Sequence, residues 1–149
     1  MNLLDPISSI MTSNVISLQP NSSIADAAEI FKAKRINHIP IVDNDQLLGI
    51  VSKSDYLFFR RGFLNDKNDE RVEEIRISNY EVQDIMTQGI ATIEPNEKIN
   101  VALEIFKENL FHAIPIVEDG KLKGIVTTFD IIFNLAESNG AVAEYSIKK

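Results

Sequence analysis

Apolar residues recur at helical spacing in two stretches of the chain. From Ile24 to Phe31 they fall at i, i+3, i+4 and i+7, which is one face of an amphipathic helix, and the same spacing returns 75 residues later. Ser22 and Ser23 precede the first stretch and are candidate N-caps, and Asp26 puts a negative charge in its first turn. The pattern therefore predicts two similar amphipathic helices, of which the first has N-cap candidates.

Short runs of apolar residues predict the strands. Ile39–Val42 and Leu47–Ser52 are almost continuously apolar, which is typical of strands covered on both faces, and the polar residues 43–45 between them predict a turn. Val15–Leu18 predicts an earlier strand, and a further helix begins near Ser54. Each unit thus has the order β-α-β-β-α, and the predicted fold class is α/β (α+β).

The chain contains two copies of this unit. An offset of 75 residues aligns 21 identical residues among the 49 positions from Ile10 to Phe58, without a gap, where chance gives about three. The longest identical pairs are Ile10–Thr12 and Ile85–Thr87, Glu29–Lys32 and Glu104–Lys107, Ile39–Val42 and Ile114–Val117, and Gly49–Val51 and Gly124–Val126. One copy of about 50 residues buries too little apolar surface alone. We therefore expect the copies to pack through their sheets with pseudo-twofold symmetry.

The remaining segments connect or follow the two copies. The charged run 65–71 is typical of a solvated loop, residues 71–80 are compatible with a helix or a strand, and the tail carries no strong signal. The predicted division of the chain is 3–60 for the first copy, 61–83 for the linker, 84–138 for the second copy and 139–149 for the tail.

Composition excludes several classes of function. The chain has 149 residues, with 15 basic and 22 acidic ones, so its formal net charge of −7 disfavours broad nucleic-acid binding and anionic membrane surfaces. It contains no cysteine, which excludes disulfides and thiolate chemistry and fits a cytoplasmic protein. No apolar stretch approaches the roughly 20 residues of a membrane helix, and the N-terminus does not resemble a signal peptide.

Several motifs together resemble the CBS domain, named after cystathionine β-synthase, in its tandem form, the Bateman module. They are Ile-Met-Thr at the start of each copy, Glu-Ile-Phe-Lys, Ile-Pro-Ile-Val, and the segments Gly49–Asp55 and Gly124–Asp130. The match covers about two thirds of the chain, in order and twice. The resemblance implies a CBS pair that needs no cofactor and senses an adenine nucleotide: AMP, ADP or ATP, with S-adenosylmethionine and cyclic di-AMP as further family ligands. It also implies a disc-shaped homodimer of CBS pairs.

The chemistry of the motif Ser/Thr-x-x-Asp supports two interpretations. Asp55 and Asp130 are suited to accept hydrogen bonds from ribose hydroxyls, while Ser52 and Thr127 place donors at a helix start, where an anion is favoured. The same motif is also an acidic capping box, in which the hydroxyl and the Asp cap the helix reciprocally. The two roles are compatible.

The resemblance further implies that each binding site is shared between the copies. The first site would contain Met11, Ile16, Ile36, Asn37, His38 and Pro40 together with Ile125, Thr127 and Asp130. The second site would contain Met86, Ala91, Phe111, His112 and Pro115 together with Ile50, Ser52, Ser54 and Asp55. The alternative for both methionines, Ile16 and Ala91 is the core, and the alternative for both histidines is the surface or a helix end.

We also expect the two sites to be unequal. Arg60 and Arg61 follow Asp55, whereas Leu135 and Ala136 occupy the equivalent places after Asp130. Because a phosphate in a protein of charge −7 needs local cations, the sequence favours the Asp55 site for phosphate. The alternative is that both arginines are ordinary exposed residues on the last helical turn.

The sequence therefore predicts a stand-alone regulatory module that binds an adenine nucleotide between its copies and signals to an unknown partner protein. A second hypothesis is a structural or interaction module with vestigial sites, and a third is a weak enzyme acting on a nucleotide. Phosphate-binding glycine loops, metalloprotease motifs and nucleophile elbows are missing from the sequence, and two unrelated histidines do not predict a metal site. We therefore expect no catalytic centre.

Overall fold

The computed structural model describes residues 1–61, 70–109 and 111–138. In these ranges it contains five α-helices and four strands, with two short 3-10 helices at Ile7–Ser9 and Val82–Asp84. The elements are α1 (Ile24–Ala33), β1 (His38–Asp43), β2 (Gln46–Ser52), α2 (Lys53–Arg61), α3 (Glu70–Asn79), α4 (Ile99–Asn109), β3 (Ala113–Glu118), β4 (Lys121–Thr127) and α5 (Thr128–Ser138). The predicted mixed α/β fold with two similar halves is confirmed.

Local sequence determines where α1 begins and which face it buries. The Ser23 hydroxyl accepts a hydrogen bond from the Asp26 backbone N–H at 3.1 Å, and the Asp26 carboxylate accepts one from the Ser23 N–H at 2.9 Å. Ser23 is thus the N-cap, one of the two candidates predicted, and with Asp26 it forms a capping box that satisfies backbone donors of the first helical turn. Ile24, Ala27 and Phe31 are buried, as the spacing predicts.

The two hairpins, β1–β2 and β3–β4, have the same geometry. Their registers agree residue for residue under the 75-residue offset, and each has an irregularity at the same place, between Ile41 and Val42 in the first and between Ile116 and Val117 in the second. Asn44 and Asp45, with φ of 48° and 66°, form a two-residue turn in which both residues are left-handed. Such turns match the twist of paired strands.

The four strands form one antiparallel sheet in the order β1-β2-β4-β3. The hairpins pair with each other only near their turns, where Gln46 lies opposite Lys121. The predicted strand Val15–Leu18 is shorter than expected, because only Leu18 forms a bridge, parallel to Ile41. The backbone N–H of Leu18 donates to the carbonyl of Pro40, and the carbonyl of Leu18 accepts from the N–H of Val42. Leu18 therefore makes both backbone hydrogen bonds of this bridge to β1.

Each half completes the core of the other half. Ile7, at the start of the first copy, is buried in the cluster of α4, β3 and β4, whereas Val82, at the start of the second copy, is buried in the cluster of α1, β1 and β2. Backbone hydrogen bonds fix this exchange: Ile7 N–H donates to Glu97 at 2.7 Å and Val82 N–H donates to Ser22 at 2.8 Å. The halves therefore form one cooperative unit.

The linker contributes α3, which resolves the two alternatives for residues 71–80 in favour of a helix. The charged run 65–71 lies outside the described residues except for Glu70 and Arg71, which begin α3. The tail 139–149 lies outside them as well. Of the helices that the structure describes, none combines the length and apolar character needed to cross a bilayer.

Candidate functional site

A cavity of about 250 Å³ lies between the two halves, at the junction of β2 and α2. Both halves contribute to its wall. The lining residues are His38, Ile50, Ser52, Ser54, Asp55, Thr87, Ile90, Ala91, Phe111, His112 and Ala113. Eight of these eleven are among the residues predicted for ligand binding, and seven of the eight were assigned to the second site.

One wall of the cavity is the β2–α2 junction, which the other half holds in place. Ile50 and Thr87 exchange two backbone hydrogen bonds, at 3.0 and 2.9 Å, so the start of the second copy is tied to β2. The Asp55 carboxylate accepts from the Ser52 backbone N–H at 2.8 Å, and the Ser52 hydroxyl accepts from the Asp55 N–H at 3.0 Å. This capping box uses Oδ2 of Asp55, and among the described residues none donates to Oδ1.

The opposite wall comes from the segment before β3. Phe111 is 40% exposed and lines the cavity together with the apolar residues Ile90 and Ala91. The carbonyl of His112 accepts from the backbone N–H of Thr128 at 3.1 Å, which ties this segment to the start of α5. An aromatic ring and small apolar side chains form a wall on which a flat base can stack.

His38 lies in this cavity, although the sequence assigned it to the Asp130 site. It stands opposite Ser52 in the β1–β2 register, which brings it to the Asp55 side. Burial lowers the pKa of His38 from its ordinary value of 6.5, the nearby His112 lowers it further, and the Asp55 carboxylate opposes both effects. His38, His112 and Asp55 therefore interact within one cavity. Across the described residues, no cluster of three or more His, Asp or Glu could hold a metal ion.

Two residues predicted for the second site lie behind the cavity wall. Pro115 is fully buried in β3. Met86 packs against the core of the first half, beside Gly49. The place of Met86 agrees with the core alternative given above, whereas Pro115 was predicted only as a residue of the site.

The residues predicted for the first site are more dispersed. Except for His38, none of them lines the cavity beside Asp55 or the groove between α1, α2 and α3. Thr127 and Asp130 form a second capping box at the start of α5. The other predicted members are Met11, which packs beside Gly124; Ile16, which is 36% exposed; Ile36, partly buried on the first core; Asn37, whose carbonyl accepts from Lys53; buried Pro40; and buried Ile125, which pairs with Thr12.

The two arginines predicted for phosphate binding lie away from the cavity. Arg60 lines a separate groove of about 800 Å³ between α1, α2 and α3, where it forms an ion pair with Glu73. This hydrogen bond raises the pKa of Arg60 above its ordinary value. Arg61 is exposed at the end of α2. The structure thus favours the alternative stated for this pair, that both are ordinary residues of the last helical turn.

Three lining residues were not predicted: Thr87, Ile90 and Ala113. The repeat contained a signal for two of them. Thr87 belongs to the repeated Ile-Met-Thr segment, and Ala113 aligns with His38. Ile90 precedes the predicted Ala91 and has no comparable signal.

Comparisons with known proteins agree with this architecture. The family model described as the CBS domain matches the chain twice, over residues 7–62 and 82–137. The uncharacterized protein MJ1225 of Methanocaldococcus jannaschii is 33% identical over 129 residues, which are 86% of this chain and 42% of that protein. The inosine-5′-monophosphate dehydrogenase of Nitrosopumilus maritimus is 30% identical over 135 residues, which are 89% of this chain and 25% of the enzyme. The chain spans less than half the length of either relative.

Solved structures share the fold over nearly the whole chain. The CBS domain pair of protein MJ0100, in complex with 5′-methylthioadenosine and S-adenosyl-L-methionine, has a TM-score of 0.72 at 25% identity and covers 91% of this chain and 98% of that one. CBSX2 in complex with AMP has a TM-score of 0.74 at 23% identity, over 91% and 99% of the two chains. With two matches of the family model covering most of its length, the chain belongs to the CBS-domain family and carries a tandem pair of these domains.

Proposed function

We propose that this CBS pair is a regulatory module that binds one adenosine-containing ligand in the cavity beside Asp55. The observation that carries the proposal is the cavity itself, which joins an aromatic and apolar wall to a carboxylate with a free oxygen. The MJ0100 domain pair supports the ligand class, because both of its ligands contain adenosine.

The cavity offers a different surface to each part of such a ligand. The ring of Phe111 and the side chains of Ile90 and Ala91 suit the flat base, since stacking needs only apolar faces. Oδ1 of Asp55 suits the ribose hydroxyls, while Oδ2 keeps the helix cap. The hydroxyls of Ser52 and Ser54 lie at the start of α2, where backbone donors favour an anion.

The proposed signal follows from the fact that both halves form the wall. A ligand that contacts Asp55 on one half and Phe111 on the other favours the relative position of the halves that satisfies both contacts. Because Ile7 and Val82 lock each half into the core of the other, this bias extends beyond the cavity to the whole chain. A partner protein that reads the relative position of the halves would receive the signal.

Calorimetric titration with AMP, 5′-methylthioadenosine and GMP tests the proposal. We expect binding of the adenine ligands with a stoichiometry near one, and weaker binding of GMP, because a mispaired buried base edge costs about 1–3 kcal/mol. A saturating ligand at 100 times its dissociation constant should raise the unfolding free energy by about 2.7 kcal/mol. If no adenine ligand binds, the interaction module with vestigial sites becomes the better hypothesis.

Asp55→Ala and Asp130→Ala are matched variants for locating the site. Each removes the carboxylate of one capping box and leaves the Ser52 or Thr127 hydroxyl in place as the N-cap, so both variants should remain folded. We expect only Asp55→Ala to weaken ligand binding by more than about tenfold, a loss of about 1.4 kcal/mol. Equal loss in both variants would contradict the placement of the ligand.

We also propose that two CBS pairs associate through α2 and α5. Both helices present large apolar side chains to solvent, and those of α5 include a stacked pair of rings, Phe129 and Phe133, with centroids 6.2 Å apart. The most exposed of them are Phe58 (80%), Phe129 (69%), Ile132 (63%) and Phe133 (53%). Such a patch marks an interaction surface. Light scattering should give twice the mass of 16.7 kDa, and a monomer at micromolar concentration would contradict this proposal.

A further inference from the structure

The charge of the cavity beside Asp55 depends on two histidines. Of the residues that line it, only Asp55, His38 and His112 titrate, and the lining contains neither lysine nor arginine. With both imidazoles neutral the cavity carries a net charge of −1, and with both protonated it carries +1. The protonation of these two histidines therefore determines the sign of the charge that a ligand encounters in the cavity.

Both histidines are held at the cavity by the backbone. His38 lies in β1 opposite Ser52, and the preceding carbonyl, of Asn37, accepts from Lys53 N–H at 2.8 Å. The carbonyl of His112 accepts from Thr128 N–H at 3.1 Å. The two histidines thus come from different halves, and the backbone at or next to each is hydrogen-bonded to the start of α2 or α5.

The groups around His38 oppose its protonation in the empty cavity. Burial and the neighbouring His112 both lower the pKa of His38, and Asp55 only partly compensates. Lys53, two residues before Asp55, lines the separate groove between α1, α2 and α3. An anionic ligand in the cavity would instead favour protonation of the histidines, because an opposite charge stabilises the protonated form of an imidazole.

We propose that His38 and His112 make the cavity select adenosine ligands by charge: an anionic ligand binds with uptake of protons and is favoured at acidic pH, whereas a neutral ligand binds independently of pH. The proposal rests on the proposed function and specifies its ligand chemistry. The site would then report pH together with nucleotide level. At pH 8 it would favour neutral or cationic adenosine derivatives over nucleotides.

Two probes separate the protein's protons from those of the ligand. The phosphate of AMP itself titrates near pH 6. Adenosine 5′-sulfate instead keeps a single negative charge from pH 6 to pH 8, and 5′-methylthioadenosine is neutral in the same range. The measurement is calorimetric affinity for both probes at pH 6.0 and 8.0, repeated in buffers of different ionisation enthalpy to count the protons taken up on binding.

We expect the affinity ratio of the sulfate to the thioether to rise about three- to tenfold from pH 8.0 to pH 6.0, because a rise of one pKa unit on binding at a single histidine gives at most a tenfold change. In the double variant His38→Gln/His112→Gln the affinity ratio should no longer depend on pH, and binding of the sulfate should take up no protons, whatever the absolute affinity for the neutral probe. Lys53→Gln, which removes a nearby cation from outside the cavity, should keep the wild-type ratio.

The outcomes distinguish this inference from the proposed function. If the neutral probe binds and the ratio is independent of pH, or if the double histidine variant keeps the dependence, the charge selection is wrong and the adenosine site stands. If neither probe binds at either pH, the proposed function and the inference are both wrong. Circular dichroism of the double variant checks that it is folded, and each single variant provides a second, milder test.

Discussion

The two strand–helix junctions, at Asp55 and at Asp130, share one backbone and differ in their side chains. At the first, the Asp55 carboxylate accepts one hydrogen bond from Ser52, through its backbone N–H. At the second, Oδ2 of Asp130 accepts from both the backbone N–H and the hydroxyl of Thr127, at 2.7 and 2.6 Å. Oδ2 of Asp130 thus accepts one more hydrogen bond than Oδ2 of Asp55, whereas none of the described residues donates to Oδ1 at either junction.

Side-chain volume also distinguishes the two junctions, and it favours a ligand at Asp55. Ala91 and Ser54 line the cavity beside Asp55. The residues at the equivalent places in the other half are Ile16 and Phe129, which are much larger. If the proposed function is right, a duplicated backbone keeps two potential sites, and small residues such as Ala91 and Ser54 favour the one at Asp55.

The largest expected effect concerns the glycines where each hairpin meets the other half. A Cβ at Gly49 would lie 2.7 Å from the backbone oxygen of Thr87, whereas one at Gly124 would lie 2.6 Å from the flexible sulfur of Met11 and 3.0 Å from the Thr12 oxygen. We expect Gly49→Ala to lower the unfolding free energy by about 1–3 kcal/mol, as overpacking does, and Gly124→Ala to lower it less. Urea unfolding measures both, and equal losses would show that the two contacts are equivalent.

The second prediction concerns a substitution that fills the cavity beside Asp55. Ala91→Ile puts into the Asp55 junction the side chain that the Asp130 junction already has, so we expect affinity for 5′-methylthioadenosine to fall by more than about tenfold, or about 1.4 kcal/mol. Ala33→Ile, the same change at the exposed end of α1, should leave affinity unaltered. Undiminished binding by Ala91→Ile would mean that the base does not enter beside this residue.

Much of this comparison could be made from the sequence, because the repeat and its periodicity are local signals. Helical spacing located α1, the Ser23 cap marked its start, and the apolar runs located both hairpins. The exchange of Ile7 and Val82 between the two cores could not be predicted, since nothing in a residue's neighbours states which half it will pack against.

The position of His38 was hidden for a related reason. The β1–β2 register places His38 opposite Ser52 of the same half. The resemblance instead implies sites shared between the halves, and it therefore assigned His38 to the Asp130 site. Similarly, Arg60 was predicted to serve a phosphate because it follows Asp55 in sequence. The helix carries it instead to α3, whose helical state the sequence left open.

A third prediction, with a smaller effect, concerns pH. Because the pKa of His38 is lowered in the folded state, the unfolded chain binds more protons at this residue between that lowered value and 6.5. The free energy of unfolding should therefore decrease as pH falls through 6.5. Melting temperatures at pH 7.5 and 5.5 should differ less in His38→Gln than in the wild type. A larger difference in the variant would reverse the predicted sign.

The smallest expected effect belongs to the ion pair that distinguishes α2 from α5. Arg60 joins α2 to Glu73 of α3 at an exposed position, and α5 has Leu135 at the equivalent place. Exposed pairs contribute about 0.2–1 kcal/mol and are screened by salt, so a double-mutant cycle of Arg60→Ala and Glu73→Ala should give a coupling in this range that shrinks in 1 M salt. Affinity for adenosine 5′-sulfate should not change in Arg60→Ala, because this side chain lines the other groove. A tenfold loss of affinity in this variant, with wild-type stability, would instead show that Arg60 belongs to the ligand site. The last turn of α2, as well as its first, would then contact the ligand.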